Sequence, residues 1–73
     1  MKKKHRELRE KLREMPPREA LDLVYGYDLP PQETFCIVEC DIRRRSCLEV
    51  GQMLYTSPET VWRRRRDAYA KMT

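Results

Sequence analysis

The sequence has 73 residues, of which 38% are charged and 40% are hydrophobic. A chain of this length buries only about 60% of the surface that its unfolded state exposes, so a large catalytic cleft is not expected. Sixteen Lys and Arg against twelve Asp and Glu give a formal net charge of +4, which suits a polyanionic partner without requiring one.

Helix-forming residues dominate the composition. Leu, Glu, Lys and Arg are abundant, whereas two glycines and five prolines are few for an all-β protein. We therefore predict an all-α fold, a compact helical domain with about four to five helices.

The basic start of the chain, MKKKHRELREKLREM, is not followed by the apolar segment that a targeting sequence would have. Nowhere does the sequence approach the roughly 18 apolar residues that cross a bilayer. We expect a cytoplasmic protein with no membrane partner. Three cysteines are an odd number, and without a secretory signal they predict reduced thiols.

Two helices are predicted before residue 29. The first covers residues 3–15 and is amphipathic, with a narrow apolar stripe at i, i+4 and i+7. The stripe consists of Leu8, Leu12 and Met15. Pro16 and Pro17 end this helix, and the second begins at Pro17, because a proline at the first helical position costs no hydrogen bond. Gly26 ends the second helix. Residues 1–28 are therefore interpreted as an N-terminal helical extension that packs on the core.

A third helix is predicted after the turn Leu29–Pro30–Pro31, continuing to about Arg43. Its apolar residues fall on two arcs at 100° per residue. One arc holds Phe35, Val38 and Ile42, and the other holds Cys36, Ile37 and Cys40. This pattern predicts a helix sandwiched between neighbours, with the N-terminal helices on one side and a C-terminal pair of helices on the other.

The C-terminal pair has strong start signals. Ser46 with Glu49 three residues later forms a capping box for the fourth helix, and Ser57 with Pro58 begins the fifth. The fourth helix is predicted to end near Tyr55 and to turn Val50, Met53 and Leu54 toward the core. The short connection between the two helices is typical of a helix-turn-helix.

The last helix is predicted from Pro58 to about Met72. Its inner side holds Val61, Ala68 and Met72, and its exposed side holds Glu59, Trp62, Arg63, Arg66 and Tyr69. Four consecutive arginines, residues 63–66, span about 300° around a helix and cannot all face one surface. Arg65 is therefore predicted to lie toward the core and to snorkel or pair with an acidic residue.

Residues 29–73 resemble the helix-turn-helix of region four of bacterial sigma factors, and more loosely the LuxR-type module. Three groups of residues carry the resemblance: Leu29–Pro30–Pro31–Gln32–Glu33; Ser46, Glu49, Val50 and Gly51; and Ser57, Thr60, Val61, Arg64, Ala68, Lys71 and Met72. The chain departs from the family at Arg44, Arg45 and Tyr55, where glycine is usual, which predicts an adjusted turn backbone. These 73 residues contain no counterpart of region two, so a complete sigma factor is not expected.

The resemblance implies a stand-alone, double-stranded DNA-binding transcriptional regulator of bacterial or phage type, with a recognition helix over about 58–70. In such proteins the second helix of the motif lies in the major groove. The implied base-contacting residues are Pro58, Glu59, Trp62, Arg63 and Arg66. The implied phosphate-contacting residues are Arg43, Arg44, Arg45, Ser46 and Arg64. The arginine run has a simpler interpretation as a solvated helix face.

Two further partners follow from the same resemblance. Sigma region four also meets RNA polymerase, so an adaptor that contacts RNA polymerase without binding DNA is the alternative function. A homodimer through the stripe of Leu8, Leu12 and Met15 would supply the two half-sites that helix-turn-helix proteins commonly use.

Neither a metal site nor catalysis is predicted, and no cofactor is expected. Cys36, Cys40, Cys47 and His5 lack the C-x₂-C spacing of small zinc modules, and His5 lies in a charged start of the chain that is expected to be flexible. The cysteines are interpreted as core residues, because an unpaired cysteine behaves as a small hydrophobe. His5 has no plausible nucleophile as a partner, and there is no glycine-rich phosphate loop, so an enzyme is not expected.

Overall fold

The computed structural model describes residues 3–73. It contains α1 (Lys3–Glu14), α2 (Pro17–Tyr25), α3 (Pro31–Ile37), α4 (Cys47–Met53) and α5 (Pro58–Met72), with a π-helical segment (Val38–Ile42) directly after α3. The described residues include no β-strand, which confirms the predicted all-α class. No helix within residues 3–73 combines the length and apolar character needed to cross a membrane.

Local sequence signals set the helix starts. The Ser46 hydroxyl accepts a hydrogen bond from the Glu49 amide at 3.0 Å, and the Glu49 carboxylate accepts one from the Ser46 amide at 3.4 Å. Both halves of the predicted capping box are therefore present. At the start of α5, the Ser57 hydroxyl accepts from the Thr60 amide at 3.2 Å, and Pro58 occupies the first turn. These observations confirm the predicted beginnings of both helices.

Two apolar clusters lie on either side of α3 and the π-helical segment. The first joins them to α1, α2 and the C-terminal half of α5, through Leu12, Ala20, Val24, Ile37, Val38, Ala68, Tyr69 and Met72. The second joins them to α4 and the start of α5, through Cys36, Cys40, Val50 and Val61, with Phe35, Cys47 and Leu54 packed against it. The prediction that this helix is covered on both sides is confirmed, except that the C-terminal half of α5 packs with the N-terminal helices and only its start packs with α4. Phe35 and Ile37 lie on the sides opposite to those predicted, because both are at borders between the two arcs.

The prediction of a regular helix to about Arg43 is wrong for its last part, because residues Val38–Ile42 form a π-helix. The Arg43 amide donates to the Val38 carbonyl, five residues back, at 2.9 Å, which is the hydrogen bond of a π-helix. The Arg45 amide then donates to the Glu39 carbonyl at 2.8 Å. Within the widened turn, Glu39 and Asp41 are both buried. Two carboxylates are thus placed inside the domain, and each requires a partner there.

Two side chains of the helix-turn-helix differ from expectation. Met53, predicted to face the core, is 44% exposed, while Leu54 is half-buried. Tyr69, predicted on the exposed side of α5, is fully buried. The reason is that α1 covers this flank of α5: the His5 and Tyr69 rings stack with their centroids 6.0 Å apart. The sequence pattern of α5 alone does not reveal that neighbour.

The apolar stripe of α1 packs inside the chain. Leu12 is 1% exposed, and Leu8 and Met15 pack against the first apolar cluster. This stripe is therefore not an open surface for a second copy of the chain, and the homodimer stays an untested prediction. His5, expected in a flexible start, is instead a buried residue of α1.

Candidate nucleic-acid interface

The connection between α4 and α5 is a tight turn with a left-handed residue. The Thr56 amide donates to the Gly51 carbonyl at 2.8 Å, and the Tyr55 amide donates to the Gln52 carbonyl at 3.4 Å. This pair of bonds is the Schellman motif, whose left-handed position is usually glycine. Tyr55 occupies it with φ of 56°.

The backbone is left-handed at two of the three positions where glycine is usual in the resembled family. Arg44, before α4, has φ of 60°, and Tyr55 has the comparable value in the turn. Both keep the left-handed conformation for which glycine is favoured, and side chains with a Cβ are strained there by roughly 1–2 kcal/mol. The strain is maintained by the hydrogen bonds and packing around the two turns.

Gly51 allows the turn to lie directly on α4. A Cβ built at Gly51 would be 2.7 Å from the Thr56 carbonyl oxygen, closer than any real Cβ contact. In the family that the sequence resembles, alanine is usual at this position. The close approach of the Thr56 carbonyl to α4 therefore requires a residue without a Cβ at position 51.

The outward face of α5 is centred on Arg63. The buried side of α5 consists of Val61, Arg65, Ala68, Tyr69 and Met72. At 100° per residue, Arg63 lies opposite the middle of that buried side, with Glu59 one turn earlier. Glu59, Trp62, Arg63 and Arg66 are exposed, and Pro58 is half-buried. Four of the five implied base-contacting residues thus lie on the solvent side of one helix.

Trp62 and Arg66 contact each other on this face. The guanidinium carbon of Arg66 lies 5.2 Å from the centre of the Trp62 ring, a cation–π geometry between residues one turn apart. Trp62 is 42% exposed. The nearest carboxylate to Arg66 is Asp67, at 3.9 Å and equally open to water. The stack with Trp62 is therefore the contact that orients Arg66.

Arg65 points into the domain, as predicted. Its Nη2 lies 2.6 Å from Oδ1 of Asp41, and its Nε lies 3.1 Å from Oδ2, so the pair is bidentate. Burial by itself lowers the pKa of Arg65, but the hydrogen bonds and negative charge of Asp41 outweigh burial, and the pKa is raised. Nη1 of Arg65 also lies 3.5 Å from the Cys47 sulfur. This contact brings the start of α4 beside the middle of α5.

The arginines before α4 are largely paired with carboxylates. Arg45 contacts Glu39 at 3.0 Å and Glu49 at 3.7 Å, and Arg43 contacts Glu39 at 3.7 Å. The hydroxyl and amide of Ser46 are both used in the capping box. Among the implied phosphate contacts, Arg43, Arg45 and Ser46 are therefore already engaged within the chain.

Three arginines of the motif have no carboxylate within ion-pair distance in the described part of the chain: Arg44, Arg63 and Arg64. Arg44 is exposed and donates only to the Arg13 carbonyl, at 3.4 Å. Arg63 is exposed and Arg64 is half-buried. These three side chains supply the uncompensated positive charge of the motif.

Sequence reasoning missed the acidic residues that organise the site. Asp41 and Glu39 were not singled out, although they hold Arg65 and Arg45. A signal was present for Asp41, because Arg65 was expected to need an acidic partner and Asp41 lies in the helix predicted to be covered on both sides. The two partners are 24 positions apart in the sequence, so no local pattern reveals the pairing.

The cysteines lie where core packing was predicted. Cys36 and Cys40 are buried and Cys47 is half-buried, all as free thiols. Burial raises the pKa of Cys40 from 9.0 to about 12, and it also raises the pKa of Cys36. Within residues 3–73, no three His, Cys, Asp or Glu side chains are grouped so that they could hold a metal ion.

Comparisons of the chain with protein-family models, with curated proteins and with solved structures returned no significant match. The resemblance to sigma region four therefore stays a prediction drawn from the residues quoted above.

Proposed function

We propose that this chain is a small, sequence-specific regulator of transcription that binds double-stranded DNA with α5, over residues of about 58–70, in the major groove. The single observation that carries the proposal is the outward face of α5. It presents Arg63, flanked by Glu59 and Arg66, on a helix joined to a capped α4 by a four-residue turn. Paired helices with a basic second helix are the arrangement of helix-turn-helix proteins. Its bacterial or phage origin and its place in the cytoplasm belong to the same proposal.

The exposed side chains of α5 have the chemistry for reading base edges. Arg63 carries the fork of N–H donors that pairs with O6 and N7 of guanine, and Glu59 accepts from N4 of cytosine. No ion pair joins Glu59 to Arg63. Both side chains therefore meet DNA without first breaking a contact within the protein. Arg44 and Arg64, uncompensated by carboxylates, are the phosphate contacts that this proposal favours.

The test compares two exposed arginines. Arg63→Ala removes the centre of the proposed face, while Arg18→Ala removes an exposed arginine of α2. Affinity for a selected duplex is measured at ~50 mM salt, where phosphate-driven binding is strong. Arg63→Ala is expected to weaken binding by about 1–3 kcal/mol, the usual value of a bidentate base contact, and Arg18→Ala to leave it unchanged. Equal affinities for both variants would contradict the proposal.

One observation favours a second candidate, an adaptor that contacts a protein such as RNA polymerase. The helix-turn-helix exposes large apolar side chains: Leu48 is 57% exposed, Tyr55 97% and Trp62 42%. Exposed apolar residues in one region often mark a protein interface. Replacing Leu48 or Tyr55 with serine separates the two candidates. An adaptor would lose affinity for purified RNA polymerase, whereas a DNA-binding regulator would keep its affinity for the duplex.

A further inference from the structure

We infer that the stacked pair of Trp62 and Arg66 is a specificity element that recognises the C5-methyl group of a thymine in the major groove. The inference rests on the proposed function and deepens it. It assigns recognition of the thymine methyl group to two side chains that contact each other. The hydrogen bonds of arginine alone do not detect that group.

The geometry supports a preorganised unit. Arg66 lies over the Trp62 ring at 5.2 Å, so each side chain restricts the rotamers of the other. Around the helix, Arg66 lies between Trp62 and Arg63, because successive residues are 100° apart. Trp62 therefore stands at the flank of the same face whose centre is Arg63. The Trp62 ring is thus an apolar, half-exposed surface that Arg66 holds in place before DNA binds.

The groups that base pairs expose in the major groove indicate which of them the Trp62 ring would contact. An indole ring offers a large apolar surface and a single N–H donor, so it contributes little to reading hydrogen-bond acceptors and donors. The thymine methyl group is the apolar feature that a base pair presents in the major groove. The positive charges of Arg63, Arg64 and Arg66 around the ring match the polyanionic duplex. A thymine next to the base that Arg63 contacts would provide a methyl group for the Trp62 ring. The phosphates around that thymine would provide the negative charge for the arginines.

Deoxyuridine provides the decisive probe, because it differs from thymidine only by the absence of the methyl group. A binding site is first selected from a random duplex library, and each thymine is then replaced singly by deoxyuridine. Wild-type protein is expected to lose about fourfold in affinity at one thymine of the selected site, the effect of burying one methyl group. Replacement at the remaining thymines should change nothing.

Variants assign the effect to the stacked pair. Trp62→Ala is expected to bind thymine and deoxyuridine sites equally, and Arg66→Ala to show a reduced difference because the ring is no longer held. Tyr55→Ala is the matched control, since it removes another exposed aromatic ring of the motif and should keep the fourfold difference. Far-UV circular dichroism establishes that each variant is folded. Should Trp62→Ala be unfolded, the Arg66→Ala comparison decides the question by itself.

The outcomes separate this inference from the function on which it rests. Duplex binding that is insensitive to every deoxyuridine replacement overturns the inference and leaves the proposed function standing. A thymine preference that persists in Trp62→Ala also overturns the inference. A wild-type protein that binds no duplex overturns both, as does equal binding to an RNA duplex of the same sequence, whose deep, narrow major groove a side chain cannot read.

Discussion

The buried pair of Asp41 and Arg65 gives the sharpest stability prediction. The guanidinium donates twice to the carboxylate, and the two side chains are 0% and 10% exposed for Asp41 and Arg65 respectively. Arg65→Ala leaves a buried carboxylate without its partner, and Asp41→Ala leaves a buried guanidinium with only a weak contact to the Cys47 sulfur. Breaking a buried ion pair in this way costs about 3–5 kcal/mol.

This cost is large relative to the whole protein. A domain of 73 residues has a total stability of roughly 4–11 kcal/mol, from about 0.05–0.15 kcal/mol per residue. Either substitution therefore removes between about a quarter and all of the folding free energy. Arg66→Ala is the matched control: it makes the same chemical change one residue along α5, where the side chain is half-exposed. It loses an exposed cation–π contact worth about 0.5–1 kcal/mol and a long ion pair with Asp67 that is open to water.

The assay is urea unfolding followed by far-UV circular dichroism for the wild type, the single variants and the double variant Asp41→Leu with Arg65→Met. The apolar double variant is expected to be more stable than either alanine variant, because no charge is left buried and unpaired. If Arg65→Ala costs no more than Arg66→Ala, the pair does not anchor α5 to the π-helical segment and the reasoning is refuted.

Three other predictions test the turns and the core. Tyr55→Gly should stabilise the protein by about 1 kcal/mol by relieving left-handed strain, whereas Tyr55→Ala, which keeps the strain, should not; urea midpoints distinguish them. Gly51→Ala should cost about 1–3 kcal/mol because its Cβ meets the Thr56 carbonyl at 2.7 Å, whereas Gly26→Ala, in a right-handed conformation, should be tolerated. Because the pKa of Cys40 is raised from 9.0 to about 12 on folding, stability is fully present below pH 9 and is lost as pH rises toward 12. Cys40→Ala should therefore show a smaller fall in stability than the wild type between pH 8 and pH 10 in the same urea assay.

Features set by neighbouring residues were predictable from the sequence. The capping box of Ser46 and Glu49 and the proline starts at Pro17 and Pro58 depend on contacts within one helical turn, so the sequence displays them directly. The inward direction of Arg65 was equally predictable, because four consecutive arginines exceed the width of one helix face. Its acidic partner was not, because pairing across 24 residues depends on how the helices pack.

Features set by tertiary contacts were missed for the same reason. The burial of Tyr69 follows from α1 lying against α5, and no pattern within α5 reports that contact. The sequence of the π-helical segment predicts a regular helix, since its apolar spacing fits either geometry over five residues. The left-handed conformations of Arg44 and Tyr55 conflict with the preferences of those residues and are imposed by the surrounding turns.

The salt dependence of duplex binding tests the central claim most directly. Arg44, Arg63 and Arg64 are the arginines of the motif without a carboxylate partner. Arg63 is assigned to a base edge, so the two phosphate contacts of Arg44 and Arg64, at about −0.9 each, predict that log affinity falls with log salt at a slope of about −1.8. Following Trp62 fluorescence between ~50 and ~200 mM salt should give this slope, shallower by about 0.9 in Arg64→Ala and unchanged in Arg18→Ala. A folded protein that shows no response to duplex DNA at the lower salt would contradict the claim and make the arginine run a solvated surface.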